Sequence, residues 1–167
     1  LHVRSRRQRQ MCIRDRNPNH PLEWLDPGPF GTLGVGGGFA LGAKSSFPSK
    51  EVWILYGDGA SAYSLSEFDT MCRHNLPVIA IVGNDASWQQ IAREQKSMLG
   101  SNIGTKLDFT SYEKVVEGYG GIGYLIKNQN EIESVILAAK KDAANGNPVL
   151  INVELSKTDF RKGSISV

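Results

Sequence analysis

The chain contains VWILYGDG at residues 52–59 and PVIAIVGN at residues 77–84, and these two stretches decide its fold. Each is an apolar run that ends in a glycine and a residue with a side-chain oxygen. Runs that are apolar on both faces predict parallel strands covered by helices. The 24 residues between Gly59 and Asn84 have the length of a crossover helix with its turns. The sequence therefore predicts an α/β fold, a doubly wound and mostly parallel sheet with helices on both faces.

Side chains with oxygen atoms follow both predicted strands. Neighbouring parallel strands would place Asp58 and Asn84 side by side at the carboxyl edge of the sheet, where open α/β sheets bind ligands. Carboxylate and amide oxygens suit Mg²⁺, which completes its octahedron with phosphates and water. Gly59 and Ala60 can bring backbone N–H groups close to a phosphate at the start of the next helix. The alternative is an ordinary turn and an ordinary strand-end asparagine, but the two-part pattern favours a binding site.

This two-part pattern resembles the signature of the thiamine diphosphate (ThDP) enzymes, which is Gly-Asp-Gly followed by Asn after about 25 to 30 residues. The resemblance implies that Asp58, Asn84 and the backbone carbonyl of Ala86 hold Mg²⁺ on the diphosphate of the cofactor. The second Asn of the usual pair is replaced here by Asp85. The cofactor-binding residues implied at this motif are Gly57, Asp58, Gly59, Ala60 and Asn84.

A glycine-rich segment, GTLGVGGGFALGA at residues 31–43, precedes the first strand. Gly34, Gly38 and Gly42 recur every four residues, so on a helix they form a smooth stripe that backbone or cofactor can approach closely. The segment matches neither the dinucleotide fingerprint nor the phosphate-loop motif. It is therefore not interpreted as a nucleotide site.

The start of the same segment resembles a turn of the acetolactate synthase superfamily of ThDP enzymes. The resemblance implies that Leu33 supports the cofactor in a bent shape, that the carbonyl of Gly31 accepts from its pyrimidine amino group, and that Thr32 belongs to the cofactor site. Residues 25–36, LDPGPFGTLGVG, are most similar to the branch of 2-hydroxyacyl-CoA lyases and oxalyl-CoA decarboxylases, closest to the acetolactate synthase-like proteins of animals. The resemblance covers about residues 22–167 and identifies them as a diphosphate-binding domain.

For the whole enzyme, the resemblance implies cleavage of a 2-hydroxy fatty acyl-CoA to formyl-CoA and a shortened aldehyde. The alternatives are an acetolactate synthase that joins 2-keto acids, and a non-catalytic Mg²⁺-diphosphate-binding module. In the family, a Glu of a separate pyrimidine-binding domain activates the cofactor, usually from the opposite subunit. No segment of this sequence matches that domain. The chain is thus expected to be a fragment without a catalytic residue of its own, inactive alone, and part of a homodimer or tetramer when full length.

Charge is unevenly distributed along the chain. The net charge is +2, but residues 1–16 hold six Arg and one Asp, so the remaining residues sum to −3. Residues 1–16 could be a basic arm for nucleic acid or acidic lipid. They are interpreted instead as non-native or disordered sequence, because they show no apolar periodicity. Residues 17–167 are assigned to the domain, and no nucleic-acid partner is expected.

Composition and cysteine content fit an intracellular globular chain. Hydrophobic residues make up 40% and charged residues 22% of the sequence. Cys12 and Cys72 form no disulfide framework or metal-ligand spacing, and helical spacing predicts that Cys72 belongs to the core. No apolar stretch approaches the roughly 18 residues of a membrane span. Resemblance alone suggests that the full-length protein lies at the endoplasmic-reticulum membrane.

Three patterns of the capping-box type predict helix starts, at Ser64–Glu67, Thr110–Glu113 and Asn128–Glu131. A short strand is expected at residues 22–25, and further strands at residues 122–126 and 149–155. Residues 99–109 are expected to be irregular and to lie over the site.

Overall fold

The structure, a computed structural model, describes residues 23–27 and 31–156. The chain divides into two compact units, Leu1–Thr32 with Val167, and Leu33–Ser166. In the first unit the described residues form no helix or strand, so the strand expected at residues 22–25 is absent from its described part, residues 23–25. The indole N–H of Trp24 donates there to Asp26 at 3.2 Å. Residues 1–16 lie outside the described residues.

Parallel strands form the centre of the second unit. They are β1 (Trp53–Gly57), β2 (Ile79–Asn84), β3 (Ile122–Ile126) and β4 (Val149–Glu154). Within the described residues they make one sheet in the order β1-β2-β4-β3, with every neighbouring pair parallel. Each predicted strand of this unit is present with its ends shifted by at most two residues, so the predicted parallel sheet is confirmed.

Helices connect the strands. They are α1 (Val35–Ser46), α2 (Asp58–Ser61), α3 (Glu67–Arg73), α4 (Gln89–Leu99), α5 (Tyr112–Gly118) and α6 (Ile132–Ala144). The crossover between β1 and β2 is thus made of two short helices rather than the single helix expected. None of the helices in the described ranges is both long enough and apolar enough to cross a bilayer.

The core has two halves, one on each face of the sheet. One face carries Tyr56, Val82 and Leu150 and packs against Phe68 and Met71 of α3. The other face packs against α6, and its fully or nearly fully buried members are Ile79, Ile126, Ala139, Val149 and Ile151. Burial on both faces explains why β4 reads as an unbroken apolar run at residues 149–151. The prediction of helices on both faces is confirmed.

Close packing in α1 occurs at different glycines from those predicted. A Cβ built on Gly36 would lie 3.0 Å from both Ile54 and Tyr56 of β1, and one on Gly37 would lie 2.9 Å from Glu67. At Gly38 and Gly42, by contrast, no described atom lies within 4 Å. The helix therefore approaches β1 and α3 through consecutive glycines, and only Gly34 of the predicted stripe packs tightly.

Two of the three predicted capping boxes are wrong. Helix α3 begins at Glu67, and the hydroxyl of Ser64 instead forms a 2.7 Å hydrogen bond with the Tyr56 hydroxyl. At α5, the side chain of Glu113 accepts from Asn152 rather than from its own helix start. Asn128 and Glu131 do form the predicted box. The failed predictions share a cause, since each side chain has a stronger partner on the sheet than in its own turn.

Cys72 is only half buried, so the prediction that it belongs to the core holds in part. Phe68 and Met71 fill the position beneath α3 instead. Burial, aided by the nearby Asp69 carboxylate, raises the pKa of the Cys72 thiol.

The glycines of α1 give a paired test of packing. Gly36→Ala should lower the free energy of unfolding by about 1–3 kcal/mol, because its methyl group would press on the sheet. Gly38→Ala should raise it by about 0.5–1 kcal/mol, because alanine restricts the unfolded chain and meets no neighbour. Urea denaturation of both variants measures these changes. Equal effects of the two substitutions would contradict the packing described.

Candidate functional site

The carboxyl edge of the sheet brings the two predicted ligand residues together. Gly57 of β1 lies opposite Gly83 of β2 in the parallel register. Asp58 and Asn84 are the next residues of the two chains, so they stand at the same level of this edge. Both are buried, with Asp58 3% exposed and Asn84 fully enclosed.

The carboxylate of Asp58 is held by two backbone N–H groups. Its Oδ1 accepts from Gly59 at 2.8 Å, and its Oδ2 accepts from Ser87 at 2.9 Å. Within the described part of the chain, no Lys, Arg or His forms an ion pair with it. A buried carboxylate without a counter-charge costs several kcal/mol, on the order of the penalty for burying one ion. The site therefore suits a cation.

Two further oxygens face the same loop. Asn84 Oδ1 accepts from the backbone N–H of Ala86 at 3.2 Å, and the Ala86 carbonyl accepts from Leu107 N–H at 3.0 Å. Ala86 has a left-handed backbone with φ 54°, which is uncommon for a residue other than glycine. Each of these oxygens accepts one hydrogen bond and retains a second lone pair.

The donor chemistry of this edge fits a hard cation. Among the described residues, no three His, Cys, Asp or Glu side chains cluster as a metal site. A carboxylate, an amide oxygen and a backbone carbonyl are instead the oxygen ligands that Mg²⁺ accepts, with phosphates and water completing its shell. The predicted set of Asp58, Asn84 and Ala86 thus fits in chemistry, and its role stays a prediction.

An open cleft of about 540 Å³ lies beside Gly59. Its lining includes Tyr63, Trp88, Lys106 and Tyr112. The indole of Trp88 lies directly on Gly59, because a Cβ built there would be 2.6 Å from the ring. The Tyr63 and Trp88 rings meet edge to face, with centroids 6.3 Å apart. The absence of a side chain at position 59 is therefore what lets the indole approach the motif.

The remaining predicted residues are spread between the two units. Gly31 and Thr32 belong to the first unit, where Gly31 has a left-handed backbone with φ 57°. Leu33 begins the second unit and is 49% exposed, just before Gly34, which packs against Tyr63. The roles of these three residues stay predictions. The helix expected to point its positive end at a phosphate is only the four-residue α2, which carries little dipole.

Sequence reasoning missed several polar groups behind the edge. Asn152 of β4 is 1% exposed, and its Nδ2 donates to Glu113 Oε2 at 2.7 Å and to the Thr110 carbonyl at 3.1 Å. The signal in the sequence was a polar residue inside the apolar run of the last strand. Tyr112 was missed too; burial chiefly, with a contribution from the Asp58 charge, raises the pKa of its hydroxyl.

Comparison with known protein families gives one match that covers most of the chain. Residues 8–153 match the family described as thiamine pyrophosphate enzyme, C-terminal TPP binding domain, where thiamine pyrophosphate is another name for ThDP. The matched range begins inside residues 1–16, the segment interpreted above as non-native. Since the profile covers well over half of the chain, the family assignment does not depend on those residues.

Individual relatives agree with this match. The chain is 59% identical to 2-hydroxyacyl-CoA lyase 2 of Danio rerio and 54% identical to that of Homo sapiens, in each case over 90% of this chain and 24% of the relative. It is 38% identical to the acetolactate synthase large subunit of Mycobacterium tuberculosis, over 78% of this chain and 23% of that protein. The chain thus spans about a quarter of the length of the curated relatives that it matches.

A solved structure supports the same fold. The Rhodococcus jostii RHA1 thiamine diphosphate-dependent 4-hydroxybenzoylformate decarboxylase superposes with a TM-score of 0.68 at 26% identity. The superposition covers 76% of this chain and 24% of that one. The parallel sheet and its helices are therefore shared with an enzyme that uses this cofactor.

The contact between Gly59 and Trp88 can be tested directly. Gly59→Ala should displace the indole, lowering the free energy of unfolding by about 1–3 kcal/mol and shifting the Trp88 indole N–H signal in NMR spectra. Gly57→Ala is the matched control, because Gly57 has an ordinary φ of −82° and no described atom within 4 Å of a Cβ. An unshifted indole signal in Gly59→Ala would show that the packing is different.

Proposed function

We propose a magnesium-dependent cofactor-binding role for this chain, which belongs to the thiamine pyrophosphate enzymes and carries their C-terminal TPP-binding domain. In this proposal Asp58, Asn84 and the carbonyl of Ala86 bind Mg²⁺, which in turn binds the diphosphate of ThDP. The observation that carries the proposal is the buried Asp58 carboxylate, which has two backbone donors but no cationic partner among the described residues.

The residues around the metal would hold the phosphate end of the cofactor. Gly57 leaves open space at the edge, Gly59 is covered by the Trp88 indole, and Ala60 follows in the first turn of α2, where backbone N–H groups would approach a phosphate. Trp88 and Tyr63 would form the wall of the cleft beside it. By resemblance, Leu33 would support the bent cofactor, the carbonyl of Gly31 would accept from its pyrimidine amino group, and Thr32 would belong to the cofactor site. When bound, ThDP supplies a nucleophile and an electron sink for breaking a carbon–carbon bond next to a carbonyl.

For the whole enzyme we propose cleavage of a 2-hydroxyacyl-CoA to formyl-CoA and an aldehyde one carbon shorter. Four relatives that are 52–59% identical to this chain are named 2-hydroxyacyl-CoA lyase 2, which supports this choice. An acetolactate synthase that joins 2-keto acids is the second candidate, supported by the 38% identical relatives. A non-catalytic Mg²⁺-diphosphate-binding module is the third, and it would bind the cofactor without any turnover.

In this proposal, catalysis also requires a second domain. By family resemblance, a Glu of a pyrimidine-binding domain would activate the cofactor, in a homodimer or tetramer. We propose that the chain alone is inactive and that its place in the cell is intracellular, at the endoplasmic-reticulum membrane for the full-length protein.

The proposed metal site predicts a larger loss of cofactor binding at Asp58 than at Asn84. Asp58→Ala should abolish Mg²⁺-dependent ThDP binding, because it removes the only anionic ligand in the proposed set. Asn84→Ala should weaken binding less, because it removes a neutral ligand. Isothermal calorimetry with Mg²⁺ and ThDP measures both effects, with Asp69→Ala as the control for an exposed aspartate in α3. Cofactor affinity that survives Asp58→Ala would exclude this metal site.

The reaction is tested by product analysis. The protein, joined with a pyrimidine-binding domain, should convert a 2-hydroxyacyl-CoA to formyl-CoA and a shortened aldehyde, and should not form acetolactate from pyruvate. Acetolactate as the main product would favour the second candidate. Turnover of either substrate by the 167-residue chain alone would contradict the dependence on another domain.

A further inference from the structure

We propose that Glu113 and Asn152 are positioning residues that aim the amide oxygen of Asn84 at the metal. The inference rests on the metal site proposed above and assigns a task to two buried side chains outside it. The three side chains form a hydrogen-bonded chain from α5 through β4 to the end of β2. We call this chain the amide relay, and it consists of Glu113, Asn152 and Asn84.

The relay has a direction because it starts at a carboxylate. A carboxylate oxygen accepts hydrogen bonds and does not donate them. Glu113 Oε2 therefore requires the nitrogen of the Asn152 amide, which lies 2.7 Å away. The second hydrogen of the same nitrogen goes to the Thr110 carbonyl at 3.1 Å, which is also only an acceptor. Both donors of Asn152 are thus committed, and its oxygen alone faces Asn84.

The same count of donors and acceptors fixes the orientation of the Asn84 amide. Its Nδ2 donates to Asn152 Oδ1 at 3.2 Å and to the Thr110 carbonyl at 3.2 Å, so both of its donors are committed as well. Its Oδ1 is left to face the loop, where it accepts from Ala86 N–H at 3.2 Å. A flipped Asn84 would set its oxygen against two acceptors and its NH₂ group against a donor. The amide oxygen is therefore directed to the carboxyl edge, where a cation needs it.

The fold places this relay where water does not disturb it. Asn84 and Asn152 project from the same face of neighbouring strands, since Val82 pairs with Asn152. Glu113 is 4% exposed, and the two amides are almost completely buried. Helix α5 reaches the sheet because β3 has Gly123, where any Cβ would clash with the Glu113 carbonyl. Low exposure makes each unsatisfied donor or acceptor costly, which strengthens the preference for one orientation.

Orientation matters because only one end of an amide binds a cation. The oxygen carries a lone pair and partial negative charge, whereas the NH₂ group would repel Mg²⁺. Groups that orient metal ligands from behind typically change metal affinity by about 10–100-fold when they are altered. Glu113 and Asn152 do this without touching metal, cofactor or substrate.

The test measures how one substitution acts in two backgrounds. Glu113→Gln keeps the shape of the side chain but lets it donate, so that only the Thr110 carbonyl still favours the observed orientation of the Asn152 amide. In the parent chain this should raise the Mg²⁺ concentration for half-maximal ThDP binding by about tenfold. Asn84→Asp removes the need for orientation and favours a flipped Asn152, since a carboxylate accepts at both oxygens. In that background, Glu113→Gln should leave the Mg²⁺ requirement unchanged or lower it.

A structural role alone would give a different result. Equal increases in both backgrounds, or no increase in either, would overturn the relay. Glu117→Gln is the control, since it makes the same change on α5 at an exposed residue paired with Lys114. Asp58→Ala tests the metal site independently of the relay. If it too leaves the Mg²⁺ requirement unaltered, the metal site is wrong and the relay falls with it.

A second measurement needs no variant and covers the case in which one fails to fold. In the unaltered chain, the side-chain NH₂ signals of Asn84 and Asn152 should exchange slowly with solvent, and they should stay protected when Mg²⁺ and ThDP are added. Loss of protection of the Asn84 signal on addition of Mg²⁺ and ThDP would show that this group faces the metal, which would overturn the relay.

Discussion

The buried carboxylate of Asp58 is the interaction on which the edge of this sheet depends. It accepts one hydrogen bond from the N–H group of Gly59 in α2 and one from the N–H group of Ser87 in the loop that follows β2. Hydrogen bonds to a charged group contribute about 1.5–3 kcal/mol each. The carboxylate therefore stabilises both the segment after β1 and the loop after β2. The same burial removes water from the charge, which costs several kcal/mol, and a bound cation would offset that cost.

Sequence reasoning succeeded where the information is local. The four strands were predictable from their apolar runs, although only the two central strands, β2 and β4, are largely buried on both faces, whereas Leu55 of β1 and Leu125 of β3 are exposed. The box of Asn128 and Glu131 was predictable because both partners lie in one turn. The parallel register then follows from topology, and it places Asp58 and Asn84 together. These steps need only the order of residues and the geometry of strands.

Sequence reasoning failed where a side chain forms its hydrogen bond with a residue on another element. Ser64 matched a helix-start pattern, but Tyr56 of β1 takes its hydroxyl. Glu113 matched another, but Asn152, 39 positions away, takes its carboxylate. Neither partner can be found before the sheet order is known. The residues that were missed therefore lie behind Asp58 and Asn84, where the contacts run between elements rather than within them.

The oxygens that are proposed to bind Mg²⁺ also accept hydrogen bonds from the chain itself. The oxygens of Asp58, Asn84 and Ala86 each accept from backbone, and each keeps a lone pair. A cation could therefore add to these contacts without breaking them, and the entropy of ordering the loop after β2 is lost on folding rather than on binding. An orientation of the Asn84 amide fixed through Glu113 would reduce the cost of binding further, because binding would not have to select one of two orientations of that amide. In the proposed site, the buried polar groups that stabilise the fold are therefore the same ones that would bind Mg²⁺.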